Sequence, residues 1–281
     1  MQPANFDYHR ASSIDEAESL CKGNADASFL AGGHSLIPAM KLRLAEPGTL
    51  VDIAGIDDLK GISRDGDTIH IGALTTHAEV ESSDVVKEAC AALAEAAGKI
   101  GDPQVRNRGT IGGNVAHADP ASDYPGILMA LGATVVTSSR SIAVDEFFTG
   151  LFETVLNEGE VIKEIQVPAL SEGSGAAYAK FFNPASRYAV VGIGAVVTMD
   201  NGSCSSCSIG VTGAADHAFR ASAAEDVLTG SDLGEDAITA AAAKVAEGKE
   251  MLSDLSASAH YRIHLCSVMA KRAIAEAASR A

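Results

Sequence analysis

The segment Gly101-Asp-Pro-Gln-Val-Arg-Asn-Arg-Gly-Thr-Ile-Gly-Gly-Asn-Val-Ala-His-Ala-Asp-Pro-Ala-Ser-Asp-Tyr-Pro125 constrains this chain more than any other. Glycine lacks a Cβ, so successive glycines let backbone N–H groups come close to phosphate oxygens. Here Gly112-Gly113 is flanked by Thr110, Ile111 and Asn114, and a carboxylate, Asp123, stands at the start of a predicted helix. A second pair lies upstream in Ala31-Gly32-Gly33-His34-Ser35, between a predicted strand at 28–30 and a predicted helix at 36–44 with Pro38 in its first turn. A helix start adds unpaired N–H groups and a dipole that favours anions. The two stretches read as halves of one dinucleotide site. Each alone also fits an ordinary tight turn, and Asp123 fits a helix cap.

Two commoner phosphate motifs are excluded. Gly192-Ile-Gly194 lacks a third glycine and lies in a strand pattern, and no glycine loop ends in a Walker lysine. Neither a Rossmann nor a P-loop protein is expected.

The chain has 281 residues, with 21 Lys and Arg against 37 Asp and Glu, a formal charge of −16. That charge repels nucleic acid and anionic membranes. No apolar run is long enough to span a bilayer, and Met1-Gln-Pro-Ala-Asn-Phe-Asp-Tyr8 lacks the parts of a signal peptide. Five cysteines, odd in number and scattered, point to a reduced, cytoplasmic protein.

Periodicity divides the chain into 1–55, 56–170 and, after the linker Ala169–Ala176, 177–281. The first two regions, 1–170, form a candidate cofactor-binding domain, the last a C-terminal α+β domain. Ser13 and Glu16 are placed for a reciprocal capping box, and 82–100 reads as an amphipathic helix. Asp200-Asn-Gly202 joins strands at 190–199 and 203–212 as a hairpin. Helices are expected at 221–229, 233–252 and 257–279, giving an α+β fold with an antiparallel C-terminal sheet.

Cys204-Ser-Ser-Cys207 has the spacing of half a zinc or redox site, and His260 and His264 are four apart on a predicted helix. Neither set has a further ligand nearby in sequence, so no metal site is assigned. No catalytic triad or carboxylate pair is recognisable.

Ala31-Gly-Gly-His-Ser35 followed by Leu-Ile-Pro, with Asp102-Pro-Gln-Val-Arg-Asn-Arg-Gly-Thr-Ile-Gly-Gly-Asn114, resembles the FAD signatures of the medium subunits of molybdenum hydroxylases, the aerobic carbon monoxide dehydrogenase branch in particular. The resemblance runs from Phe6-Asp-Tyr-His-Arg10 to Tyr261-Arg and Lys271-Arg-Ala. It implies a two-subdomain FAD-binding fold of the p-cresol methylhydroxylase type, followed by an antiparallel sheet with helices. It implies that Ala31, Gly32, Gly33, His34, Ser35 and Thr110, Ile111, Gly112, Gly113, Asn114 cradle the FAD pyrophosphate and ribityl chain. Asp123 then contacts the cofactor, Ile162 offers a backbone contact, and Tyr188 lies beside the isoalloxazine ring. The partners implied are a small [2Fe-2S] subunit and a large subunit with the molybdenum cofactor, in a dimer of heterotrimers. The external electron acceptor is a quinone, NAD or oxygen. The loop Phe182-Asn-Pro-Ala-Ser186 is less basic than in the carbon monoxide enzyme, which leaves substrate and acceptor open; aldehydes and N-heterocycles rival carbon monoxide. No cysteine-rich insertion is present, so no iron–sulfur cluster is expected on this chain. The competing readings are a self-contained flavin oxidase and a non-catalytic nucleotide-binding module.

Overall fold

A computed structural model describes residues 1–281. The chain builds three principal sheets in succession. In the first, β1 (Asp7–Arg10), β2 (Ala27–Leu30) and β3 (Thr49–Asp52) are parallel, in the order β1-β3-β2. Helices α1 (Ile14–Cys21) and α2 (Leu36–Lys41) connect them. Parallel neighbours need such crossovers, which is why two short helices interrupt so short a stretch.

Strands β4 (Ile62–Asp65) and β5 (Thr68–Gly72) open the second region. Five helices follow: α3 (His77–Ser82), α4 (Asp84–Gly98), α5 (Pro103–Arg106), α6 (Ile111–His117) and α7 (Asp123–Ala130). Then come β6 (Thr134–Thr137), β7 (Ser141–Ala143), the hairpin β8 (Phe148–Gly150) and β9 (Glu153–Thr154), and β10 (Ile162–Pro168). The sheet order is β4-β5-β10-β6-β7, with β10 antiparallel to both neighbours. The alternation of Ile162, Ile165 and Val167 with polar residues in β10 buries one face under α4, α6 and α7.

The C-terminal sheet has the order β11 (Ser174–Phe182), β12 (Ala189–Asp200), β13 (Ser203–Thr212), β14 (Phe219–Arg220). Asn201 at φ 49° and Gly202 at φ 80° make the β12–β13 turn left-handed at both central residues, as the Asn-Gly pair predicts. Helices α8 (Ser222–Leu228), α9 (Glu235–Ala242) and α10 (Ala259–Ser279) complete the chain. One face of β12 packs Ile193, Ala195 and Val197 with Leu265, Met269 and Ile274 of α10. The opposite face receives α7. There Gly194 and Gly210 lie side by side in register. A Cβ on Gly210 would stand 2.0 Å from the Gly126 carbonyl oxygen, and one on Gly194 would stand 2.8 Å from the Ile127 Cα. Helix and sheet meet backbone to backbone.

Several expectations need correction. Ser13 caps α1 by accepting from the Glu16 N–H, but the Glu16 carboxylate accepts from the N–H and hydroxyl of Ser12, so the reciprocal box does not form. The helix expected at 36–44 ends at Lys41. That expected at 82–100 is α4, which starts after the cap Ser83, ends at Gly98 and has a non-helical Cys90 at φ −160°; the short α3 ends at Ser82. The one expected at 233–252 is helical only over Glu235–Ala242; alanine content supports helix, but beyond this point turns carry the chain back to the sheet, where the Leu252 N–H donates to the Ala214 carbonyl.

Because Gly210 has no space for a side chain, Gly210→Ala is expected to cost about 3 kcal/mol through overpacking. Gly202→Ala, open to solvent but left-handed, is expected to cost about 1 kcal/mol. Urea denaturation of the two variants against the wild type reads the difference.

Candidate functional site

The loop between β2 and α2 carries Ala31, Gly32, Gly33, His34 and Ser35. Gly33 is left-handed at φ 75°. The amides of Gly32, Gly33, His34 and Ser35 donate to no other group of the chain. Four adjacent unpaired donors in one turn are the kind of arrangement an anion-binding nest uses. The second glycine stretch behaves differently. It is not a turn but the first turn of α6, capped by Thr110, whose hydroxyl accepts from the Gly113 N–H at 3.2 Å. The Gly112 N–H donates to the Ala73 carbonyl and that of Ile111 to the Thr75 carbonyl. Gly112 and Gly113 therefore offer bare surface rather than free donors.

The glycines also let the two segments touch. A Cβ on Gly32 would stand 2.1 Å from the Arg108 carbonyl oxygen, and one on Gly112 would stand 2.4 Å from the Ala73 Cβ. One on Gly113 would point at the Thr110 hydroxyl, with the Ala31 Cβ 3.6 Å away. Loop 31–35 is thus seated on the segment leading into α6.

Together they line a cavity of about 510 Å³, within the range of small-molecule and cofactor clefts. Asp123, Ile162 and Tyr188 line it too, as does every other predicted site residue except Ile111. The Ile111 side chain is fully buried in the core of the second region and faces away from the cleft. The helical turn that brings Gly112 and Gly113 to the cleft sends Ile111 inward. Tyr188 belongs to the loop before β12 rather than to the sheet, and remains 43% exposed at the mouth of the cavity. The loop is closed by the Asn183 N–H donating to the Tyr188 carbonyl and the Arg187 N–H to the Asn183 carbonyl, both at 2.8 Å, with Arg187 at φ 62°.

Asp123 is not a cap. It is the first residue of α7, and its carboxylate accepts from the Tyr178 hydroxyl at 2.7 Å and from the Lys180 ammonium at 2.8 Å. Ser122, at the cap position, gives its hydroxyl to the Asn114 side-chain oxygen instead.

Two cavity residues escape sequence reasoning. His77 is buried, and burial, helped by the charges of His34 and Arg106, holds its imidazole down to about 4, so it is neutral at pH 7. Its Nδ1 has no hydrogen-bond partner in the chain. Glu160 is the second. Burial pushes its carboxyl up, but hydrogen bonds from Arg140, the Asn157 N–H, Thr137 and Ser139 outweigh this and bring it to about 2. That network fixes the segment leading into Val161 and Ile162 at the cavity wall. No spacing rule marks a lone His or Glu whose character is set by burial and by the folded surroundings. Cys204 is buried and Cys207 partly so; burial raises both thiols, that of Cys207 to about 12, well away from thiolate chemistry at neutral pH.

A profile of FAD-binding domains in molybdopterin dehydrogenase matches residues 4–170, and one of CO dehydrogenase flavoprotein C-terminal domains matches residues 176–277. The chain therefore belongs to the FAD-binding, medium-subunit family of the molybdenum hydroxylases, which are oxidoreductases. It is 40% identical to the 6-hydroxypseudooxynicotine dehydrogenase complex subunit alpha of Paenarthrobacter nicotinovorans, over all of this chain and 97% of that one. It is also 40% identical to the carbon monoxide dehydrogenase medium chain of Hydrogenophaga pseudoflava, over all of this chain and 99% of that one. The fold superposes on the Hydrogenophaga pseudoflava carbon monoxide dehydrogenase structure with a TM-score of 0.97 at 42% identity, covering 100% and 99% of the two chains. No helix is long and apolar enough to cross a membrane.

The depression of Glu160 from 4.5 to about 2 stabilises the fold by on the order of 3 kcal/mol at neutral pH. This contribution is complete above the ordinary carboxyl value and is lost as pH falls through about 2. Glu160→Gln is expected to lose about that much stability at pH 7 and to narrow its deficit below pH 4; urea midpoints between pH 7 and pH 3 check both.

Proposed function

We propose that this chain is the FAD-carrying electron-transfer subunit of a heteromeric molybdenum hydroxylase. A small [2Fe-2S] subunit supplies electrons, and substrate is oxidised on a large molybdenum subunit. The observation that carries this reading is the pair of glycine segments packed on each other along one cleft, with four free amides in the first. The donor set suits a dinucleotide cofactor. The nest of residues 32–35 answers the pyrophosphate without a lysine. The bare Gly112 and Gly113 let an extended chain lie flat. Asp123 accepts from hydroxyl groups, and Tyr188 supplies an aromatic face at the open end, where a ring exchanging electrons must be reached. The unpartnered Nδ1 of neutral His77 is a further polar atom of this wall that the chain itself leaves unanswered.

When bound, FAD converts single electrons from the partner's clusters into pairs for an external acceptor. The chain's own residues bind it, orient it and keep its mouth open beside Tyr188. The acceptor is a quinone, NAD or oxygen, and the assembly a cytoplasmic dimer of heterotrimers with residues 1–170 and 177–281 as its two domains here. Equal identity to enzymes named for a nicotine derivative and for carbon monoxide fits a chain that does not itself touch substrate.

The test is the cofactor content of the complex purified from its native host through a tag on this chain. FAD with iron, molybdenum and two co-purifying chains is expected. FAD on a lone, metal-free chain would mean a self-contained oxidase, and absence of flavin would remove the site. In the same complex, Gly113→Val, whose side chain would press on the Thr110 hydroxyl, is expected to lower the flavin-to-iron ratio at least tenfold, a loss of about 1.4 kcal/mol or more in FAD binding. Molybdenum content should stay unchanged.

A further inference from the structure

The wall behind Asp123 is built by the C-terminal region. Tyr178 and Lys180 are two apart on β11, so both side chains leave the same face of the strand and reach the same carboxylate. The Lys180 ammonium and the Asp123 carboxylate are 3% and 4% exposed, and Tyr178 is 3% exposed. Lys180 also donates to the Lys99 carbonyl at 2.9 Å, and Lys99 in turn donates to the Tyr178 carbonyl with its ammonium 5.5 Å from the Tyr178 ring centre. Gly192, across the sheet, leaves space for the Tyr178 hydroxyl, since a Cβ there would stand 2.2 Å from it. Only Asp123 of this group lines the cleft; Tyr178 and Lys180 stand behind it.

An ionised carboxylate offers about four acceptor positions. Tyr178 and Lys180 occupy one on each oxygen, and the others remain for groups in the cleft. An apolar wall would be at least as stable as a buried ion pair, so a charge kept at the cavity surface points to a ligand. We infer that Lys180 and Tyr178 are positioning residues for the cofactor, holding the Asp123 carboxylate as a fixed acceptor for FAD hydroxyl groups. The inference rests on the reading of the cleft as the FAD site.

The charge balance explains why two partners are needed. Burial pushes the Asp123 carboxyl up, and Lys180, Tyr178 and the more distant Lys99 pull it back only in part, so it stays above the ordinary carboxylate range. Other titratable groups here are Tyr178 itself, raised by burial and the Asp123 charge, Tyr124 of α7, raised by burial, Asp123 and Glu81, and Tyr188, raised by burial, Asp119 and Asp123. Without Lys180 the carboxyl is expected to rise further, toward the protonated form. A protonated carboxyl is a poorer acceptor, so FAD binding weakens as pH falls.

The experiment uses the whole complex, stripped of flavin by chaotrope and titrated with FAD between pH 6 and pH 9, with iron and molybdenum assayed alongside. Lys180→Met is expected to bind FAD at least about tenfold more weakly than the wild type, equivalent to about 1.4 kcal/mol, with a larger deficit at pH 6 than at pH 9. Lys180→Arg, which keeps the charge, is expected to stay near wild type. In an Asp123→Asn background, Lys180→Met is expected to add nothing, because its effect runs through the carboxylate. Should Lys180→Met alone not assemble, Tyr178→Phe carries the same cycle, with weaker FAD binding that vanishes in the Asp123→Asn background. The inference is overturned if either substitution leaves FAD affinity unchanged, or if it weakens Asp123→Asn as much as it weakens the wild type. A wild-type complex that never takes up FAD would instead remove the site reading, and this inference with it.

Discussion

Helix α7 lies against the C-terminal sheet backbone to backbone, because its Gly126 carbonyl and Ile127 Cα face Gly210 and Gly194 on adjacent strands. The rest of the cleft depends on this contact. It fixes the height of the first residue of α7, Asp123, above β11, where Tyr178 and Lys180 meet it. The segment before the helix is held by the same sheet. The Thr212 hydroxyl donates to the Pro120 and Ser122 carbonyls, and the Gly213 and Ala189 N–H groups donate to the Pro120 and Ala121 carbonyls. Buried Arg262 of α10 donates to the Val190 and Gly213 carbonyls and pairs with Asp254, securing the strand ends that carry these contacts. The C-terminal region therefore shapes the cleft as well as covering the helices.

On the opposite wall the economy of side chains is similar. The acidic chain brings little positive charge to the cleft, and its answer to an anion is the backbone of residues 32–35. Free amides preserve both geometry and charge over the whole pH range of the fold, whereas a lysine there would add a flexible, strongly hydrated group. The second glycine segment supplies the floor. Gly32 on Arg108 and Gly112 on Ala73 bring three chain segments to backbone contact, so the two halves move as one wall.

Much of this was legible in the chain itself. Gly32-Gly33, Gly112-Gly113 and Asp123 stand out as residue types with few other uses at such density, and the Asn201-Gly202 turn is fixed by local φ preferences. The expected functions of individual residues fared less evenly. Gly112, which lines the cleft, is also required by packing against Ala73, and the Ile111 side chain turns into the core because helical geometry separates it from the glycines beside it. Asp123 was expected at the cofactor, with a helix cap as the alternative, because its nearest neighbours in sequence are those of a helix start. Its real partners are on a strand whose approach no local pattern reveals. Tyr178 and Lys180 were not found for the same reason, and His77 and Glu160 because burial, which no local pattern shows, sets their character.

The sequence by itself determined the order of the elements, the two glycine segments and the family to which they belong, because each is encoded within a few neighbouring residues by turn preference, periodicity or missing side chains. Tertiary structure alone decided which amides stay free, which glycines serve packing, and which charged groups stand behind Asp123. Those outcomes depend on contacts between residues such as Gly32 and Arg108 or Asp123 and Lys180, and a buried charge or an unpaired amide acquires its meaning only from what the folded chain places, or does not place, within hydrogen-bond reach.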